Sequence, residues 1–153
     1  MKADIRLRRA SDGDAAEVAE VLIASREAYQ PFAPLAHSRD EVRHWVASHL
    51  VPTGNVTVAM CEAQVVGVLA TSFDGRCAWI DQLFLRPGWL RQGIGTALLD
   101  HAHATLPRPI RLYTFQANTV ARRFYEHHGY RAIAFGDGAT NEEHCPDVLY
   151  ELA

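Results

Sequence analysis

Apolar positions along the chain fall into two rhythms, and the change between them marks out the elements. Ile5 and Leu7 alternate with Arg6 and Arg8, the period-two pattern of a short strand with one buried face. Ser11-Asp12-Gly13-Asp14 follows as a capping stretch, and from Ala15 to Tyr29 Val18, Val21, Leu22 and Tyr29 sit at helical spacing. Gln30-Pro31-Phe32-Ala33-Pro34 ends this first helix. Ser38 is placed to cap a second helix, whose stripe is Val42, Trp45, Val46 and Leu50, closed by Pro52-Thr53-Gly54. The rhythm then returns to strands. Asn55 to Cys61 and Val65 to Phe73 are rich in β-branched and apolar residues around Glu62-Ala63-Gln64, which predicts a hairpin, and Asp74-Gly75 turns the chain into a third run from Arg76 to Leu85.

The second half repeats a strand–helix order. Ile94, Ala97, Leu98, His101 and Ala102 form a helical stripe ending near Leu106-Pro107, and Pro109 to Phe115 reads as a strand. A strand–helix–strand crossover places its two strands parallel and close in one sheet. Asn118 caps a last helix with Val120, Ala121, Phe124, Tyr125 and His128 on or near one face, and Gly129 suits its left-handed stop. Tyr130 to Phe135 and Asp147 to Leu152 read as an antiparallel pair joined by a polar loop, with the last strand as a possible exposed edge for a homodimer. The chain reads as one α/β domain over residues 1–153, built on a mixed sheet with helices on both faces.

Composition narrows the function classes. A chain of 153 residues buries roughly two-thirds of its unfolded surface in one core, so no metal or disulfide framework is needed for stability. Its net charge of -3 and scattered arginines argue against nucleic acid as the main partner. Cys61, Cys77 and Cys145 lack a paired spacing and read as reduced thiols of a cytoplasmic protein, with Cys61 and Cys77 inside strands. No run approaches a membrane span, and the first residues carry no apolar leader core.

The stretch from Leu83 to Asp100, LFLRPGWLRQGIGTALLD, carries the first chemical signal. A strand breaks at Arg86-Pro87-Gly88 and re-emerges as a helix through Gly93-Ile94-Gly95. Glycine lets a ligand approach the backbone, and the first helical turn leaves N–H groups unpaired at the positive end of the helix dipole. Such a loop suits a phosphate or pyrophosphate. It is equally what a close-packed turn requires. The absence of G-K-[ST] disfavours a nucleotide-hydrolysing loop.

The second signal runs from Asn118 to Tyr130 as N-x-x-A-x-x-F-Y-E-x-x-G-Y. Taken with the upstream strand and L-R-Q-G-I-G, in that order and spacing, it resembles the GNAT superfamily of N-acetyltransferases. The likeness is close from Trp79 to Tyr130. It implies a mostly antiparallel twisted sheet of about seven strands with four helices on both faces. It further implies that Arg91, Gln92, Gly93, Ile94, Gly95 and Thr96 hold the pyrophosphate of acetyl-CoA. Leu83, Phe84 and Leu85 then hold the pantetheine arm and thioester carbonyl through their main chain, beside a bulge that splays this strand from the next. Asn118, Ala121 and Phe124 fall on cofactor-side positions, and Tyr125 matches the tyrosine that protonates the departing thiolate. Leu90 departs from the superfamily pattern, which usually has Gln or Arg there, so a side-chain contact to phosphate is absent or falls to Arg91.

Transfer to an amine needs a neutral nucleophile, a polarised carbonyl and a proton for the thiolate. Asp81, in the strand before the glycine loop, is the first candidate for the base, though it reads equally as a strand-edge carboxylate. His37 and Glu142, on flexible walls, are the alternatives and the candidate substrate contacts. The tail Asn141 to Tyr150, with TFQAN at Thr114 to Asn118, resembles a recurring subgroup of small bacterial GNAT proteins. Glu142, Glu143 and Asp147 favour a cationic amine if they face the acceptor, and otherwise form a solvated loop. His101-x-His103 and His127-His128 do not share a helix face, so no metal is expected. The expected partner is an amine, small or on a protein. A non-catalytic acyl-CoA sensor and an acyltransferase using a different acyl group remain the other readings.

Overall fold

A computed structural model describes residues 4–153. Seven strands form one sheet in the order β1-β2-β3-β4-β5-β7-β6. They are β1 (Ile5–Arg9), β2 (Val56–Cys61), β3 (Gln64–Phe73), β4 (Ala78–Leu85), β5 (Ile110–Phe115), β6 (Arg131–Gly136) and β7 (Asp147–Leu152). Four α-helices, α1 (Ala15–Tyr29), α2 (Arg39–Trp45), α3 (Ile94–Thr105) and α4 (Thr119–His127), complete the fold. Every strand pair is antiparallel except β4 with β5. The crossover through α3 is what forces that pair to run parallel.

Neighbouring strand residues point to opposite faces, so the sheet separates two cores. Val58 and Val68 face α1 and α2 through Val18, Val21, Leu22 and Val42. Ala59 and Leu69, one residue along, face α3 and α4 with Ile94, Leu98, Leu99 and Tyr125. Helix α2 is shorter than its apolar stripe. Its capping box is formed, Ser38 Oγ accepting from the Glu41 N–H at 3.1 Å and the Glu41 carboxylate from the Ser38 N–H at 3.0 Å. After Trp45 the chain widens into a π turn over Val46–Leu50 and tightens over Val51–Thr53, so the stripe continues without α-helical geometry.

Two expectations are corrected. The last strand is not an edge: β7 lies between β5 and β6 and pairs with both. The edges are β1 and β6, because the polar loop after β6 is long enough to carry the chain back across it. Cys77 is buried, but it precedes β4 rather than lying in a strand. All three cysteines are free.

The sheet is interrupted at its centre. Only Ala78 with Ile110 and Trp79 with Arg111 pair across β4 and β5, after which the two strands part. On its other side β4 carries a bulge: Thr71 pairs with Ile80 and Ala70 with Gln82, leaving Asp81 without a partner on β3. A bulge bends its strand. Here it turns the second half of β4 away from β5.

Candidate active site

Where β4 and β5 part, a cleft of about 680 Å³ passes through the sheet. Its walls come from Ile80–Phe84 of β4, Leu112–Phe115 of β5, the start of α4, the end of α1 and the β6–β7 loop. Antiparallel pairing of β5 with β7 satisfies the far edge of β5. The facing edges of β4 and β5 beyond Trp79 and Arg111 carry no ladder pairing, so main-chain donors and acceptors line the opening.

Tyr125 reaches this opening from α4. Asn118 starts that helix, its Oδ1 accepting the Ala121 N–H at 3.1 Å, and Gly129 ends it with a left-handed φ of 92°. The helix is held to β7 by Tyr150, whose hydroxyl donates to the Glu126 carboxylate at 2.5 Å and accepts from Arg122 Nε at 3.1 Å. Tyr125 packs among Phe124, Tyr130 and Tyr150 with ring centroids 5.3, 5.7 and 6.3 Å away. The residue is 7% exposed and lines the cleft, and its hydroxyl bonds no protein group among the described residues. Burial, reinforced by Tyr130, pushes its pKa above the ordinary phenol value, so the hydroxyl keeps its proton and can act as a donor.

Asp81 stands on the opposite wall, its side of β4 freed by the bulge. Its surface is open to the cleft, yet the walls strip enough water to raise its carboxyl pKa, against a smaller opposing effect of Ser72. A carboxylate tuned upward is a better proton acceptor at neutral pH.

The glycine loop lies outside the cleft lining, on the α3 side of the sheet. Arg91 has φ 63° and Gly93 φ 82°, so two left-handed residues swing the chain into α3. No side chain caps this helix, and the Ala97 N–H is the first to bond back, to the Gly93 carbonyl at 3.0 Å. The main-chain N–H groups of Ile94, Gly95 and Thr96 are therefore left for a ligand. Leu85, Gly95 and Phe124 meet beneath the loop: a Cβ on Gly95 would lie 3.3 Å from Phe124 Cζ and 3.9 Å from Leu85 Cδ1. The glycine serves close helix packing as well as ligand approach. Leu90 is 38% exposed and the Gln92 amide reaches back to the Gly88 carbonyl at 3.5 Å.

Of the other sequence candidates, Leu83, Phe84, Asn118 and Ala121 line the cleft, and Leu85 and Phe124 pack just behind it. His37 and Glu142 meet each other, with Nε2 and Oε2 2.9 Å apart, and neither lines the cleft. They join the α1–α2 loop to the β6–β7 loop above it. Glu143 and Asp147 do line it. The cleft also takes in Arg26 and Gln82, which the sequence reading did not single out, and Thr114 and Asn141, which it named within the subgroup pattern but not as site residues. Asn141 organises the β6–β7 loop, its Nδ2 donating to the Cys145 carbonyl at 2.7 Å and to Asp147 Oδ2 at 3.2 Å. Among the described residues no three metal-ligating side chains gather, and no helix is long and apolar enough to cross a membrane.

Residues 18–130 match the sequence profile described as the acetyltransferase (GNAT) family. The chain belongs to the GNAT acetyltransferase family. The match spans both chemical motifs and the parted strands β4 and β5. Solved GNAT-fold structures agree over nearly the whole chain. YjaB from Escherichia coli, solved in its apo form, has a TM-score of 0.76 at 23% identity, with 97% of each chain covered. The PaiA N-acetyltransferase from Thermoplasma acidophilum, in complex with coenzyme A, has a TM-score of 0.73 at 20% identity, covering 97% of this chain and 98% of that one. Naa50 from Arabidopsis thaliana, in complex with the bisubstrate analogue CoA-Ac-MVNAL, has a TM-score of 0.72 at 16% identity over 97% and 98%. At these identities the likeness is one of fold. No curated protein matches this chain significantly in sequence.

Proposed function

We propose that this GNAT protein transfers the acetyl group of acetyl-CoA to a primary amine, of a small molecule or a protein, by direct attack within a ternary complex. The observation that carries this reading is the parting of β4 from β5 beside the unpartnered Tyr125 hydroxyl, with Asp81 on the facing wall. The pyrophosphate rests on the main-chain donors of the Arg91–Thr96 loop. The pantetheine arm follows the open edge of Leu83, Phe84 and Leu85 like a strand, flanked by Asn118, Ala121 and Phe124.

Chemistry at the thioester then has a stated part for each group. The amine nitrogen, made neutral by loss of its proton to Asp81 directly or through water, attacks the carbonyl carbon. Main-chain donors of β4 stabilise the oxyanion as it forms. Collapse breaks the carbon–sulfur bond, and Tyr125 protonates the thiolate. The attacking nitrogen gives up its second proton, directly or through water, to restore Tyr125 and leave the neutral amide, and Asp81 releases its proton to solvent. No acyl-enzyme is required.

Thermal unfolding with acetyl-CoA, CoA and ATP, followed by thiol release across an amine panel, tests the reading. Stabilisation by both CoA species but not ATP, together with thiol release, supports it. Binding without transfer to any amine points instead to a sensor. No CoA-dependent shift at saturation removes the cofactor assignment.

A further inference from the structure

Arg26 lies in the cleft wall with more donors than the protein satisfies. A guanidinium has five N–H donors. Here Nη2 donates to the Ala33 carbonyl at 2.9 Å, and that is its one hydrogen bond among the described residues. Nε is a buried atom with no partner at all, the one such side-chain nitrogen or oxygen among them. The planar head is seated over Phe115, 5.6 Å from the ring centroid, and Phe115 in turn packs edge-on against Phe32 at 6.2 Å. No carboxylate pairs with it, unlike Arg8, Arg39, Arg43, Arg86 and Arg111, each of which holds one. Arg26 is also the one cationic residue among those lining the cleft, facing Asp81, Glu143 and Asp147.

A half-buried cation that is short of acceptors, held flat by an aromatic ring and open to a ligand cleft, is a prepared anion site. On the reading that this cleft takes the acceptor, we propose that Arg26 binds a carboxylate of the acceptor, and that the substrate is an amine which also carries a carboxylate group. Three acidic residues share the wall, so a dianion such as a phosphate monoester meets more repulsion than a single carboxylate does. The same acidic residues leave the other end of the cleft suited to the amine. Burial pulls the guanidinium below its ordinary pKa, opposed by Glu143, but an arginine keeps its charge throughout the working range.

The test compares each amino carboxylate with its own carboxamide. Calorimetry on CoA-saturated protein measures binding of α-amino acids, β-alanine and 4-aminobutyrate against the corresponding amides, and thiol release measures their acetylation. At least one acid should bind about tenfold or more tightly than its amide, the range expected of a charge-assisted hydrogen bond. Arg26→Gln should abolish that ratio while leaving amide binding and the CoA-induced thermal shift in place, and Arg26→Lys should restore part of it. A residue that only braces the α1–α2 loop would change acid and amide alike. Equal binding of every acid and amide by the unmodified protein, no binding of any acid, or a ratio that survives in Arg26→Gln overturns the assignment. Arg26-dependent acid binding without thiol release keeps the anion site and removes the transfer reading. Thiol release with acids and amides used equally does the reverse.

Discussion

Replacing Tyr125 by Phe separates a chemical from a structural role with one atom. The ring keeps its contacts with Phe124, Tyr130 and Tyr150, because the change removes no carbon. The hydroxyl it removes bonds no protein group among the described residues, and Tyr125 lines the cleft, so no protein hydrogen bond is lost with it. The variant should therefore unfold at the same temperature as the parent. Turnover should fall by about 10²-fold or more, equivalent to about 2.7 kcal/mol of lost transition-state stabilisation. Thiol release at saturating acetyl-CoA gives kcat, and calorimetry gives CoA affinity, which should stay within about twofold. A kcat within twofold of the parent would refute the acid role. A fall in kcat accompanied by an equal loss of CoA binding would refute the argument that only the proton donor has been removed.

Three further perturbations probe the rest of the site. Asp81 has a folded pKa above its unfolded value, so the folded state holds more protons in that window and stability falls as pH rises through it. Asp81→Asn should raise the melting temperature at pH 7 but not at pH 3, while turnover drops by about 10²-fold or more; unchanged turnover would remove Asp81 as base. Gly67→Ala should destabilise by about 1–3 kcal/mol in denaturant unfolding. The added Cβ would lie 3.0 Å from carbons of Ile94, Leu85 and Leu98, and a midpoint equal to the parent's would show that α3 can move aside. The His37 imidazole is raised by its hydrogen bond to Glu142 and, less, by Glu41, so its contribution to stability is complete below the unfolded pKa and fades as pH rises through the folded one. In NMR titrations Glu142→Gln should lower the His37 pKa; no change would mean the two loops do not meet in solution.

Local rhythm carried most of the elements. The alternation at Ile5 and Leu7, the stripe from Val18 to Tyr29 and the caps at Ser38, Asn118 and Gly129 each depend on near neighbours, and each is in place. The parallel neighbours β4 and β5 also followed from sequence, since a helical crossover allows no other direction. Strand order did not. Placing β7 between β5 and β6 depends on pairing between distant segments, which leaves no local trace. Asp81 was the first candidate for the base by its place in the strand before the glycine loop, but it read equally as a strand-edge carboxylate, because the bulge that leaves it unpaired is a mismatch with the partner strand and is displayed by the register. Arg26 was hidden for a different reason. An arginine near the end of an amphipathic helix looks solvated, and its seat over Phe115 is built from a residue far along the chain. Gly67 disappeared into an apolar run, although its missing side chain admits the start of α3.

The two-residue seam between β4 and β5 also bears on how the molecule holds together. On the β1 side of that seam, four strands form one continuous antiparallel ladder, and on the other side β5, β7 and β6 form a second. Backbone hydrogen bonding thus divides the sheet into two nearly independent blocks, and the joint between them rests mainly on side chains packed under α3 and α4. Cooperative opening should follow that division: the three-strand block can loosen as a unit at a lower free energy than global unfolding. A ligand bridging both lips of the seam would stitch the blocks together, so that substrate capture and mechanical integrity are coupled at the same place.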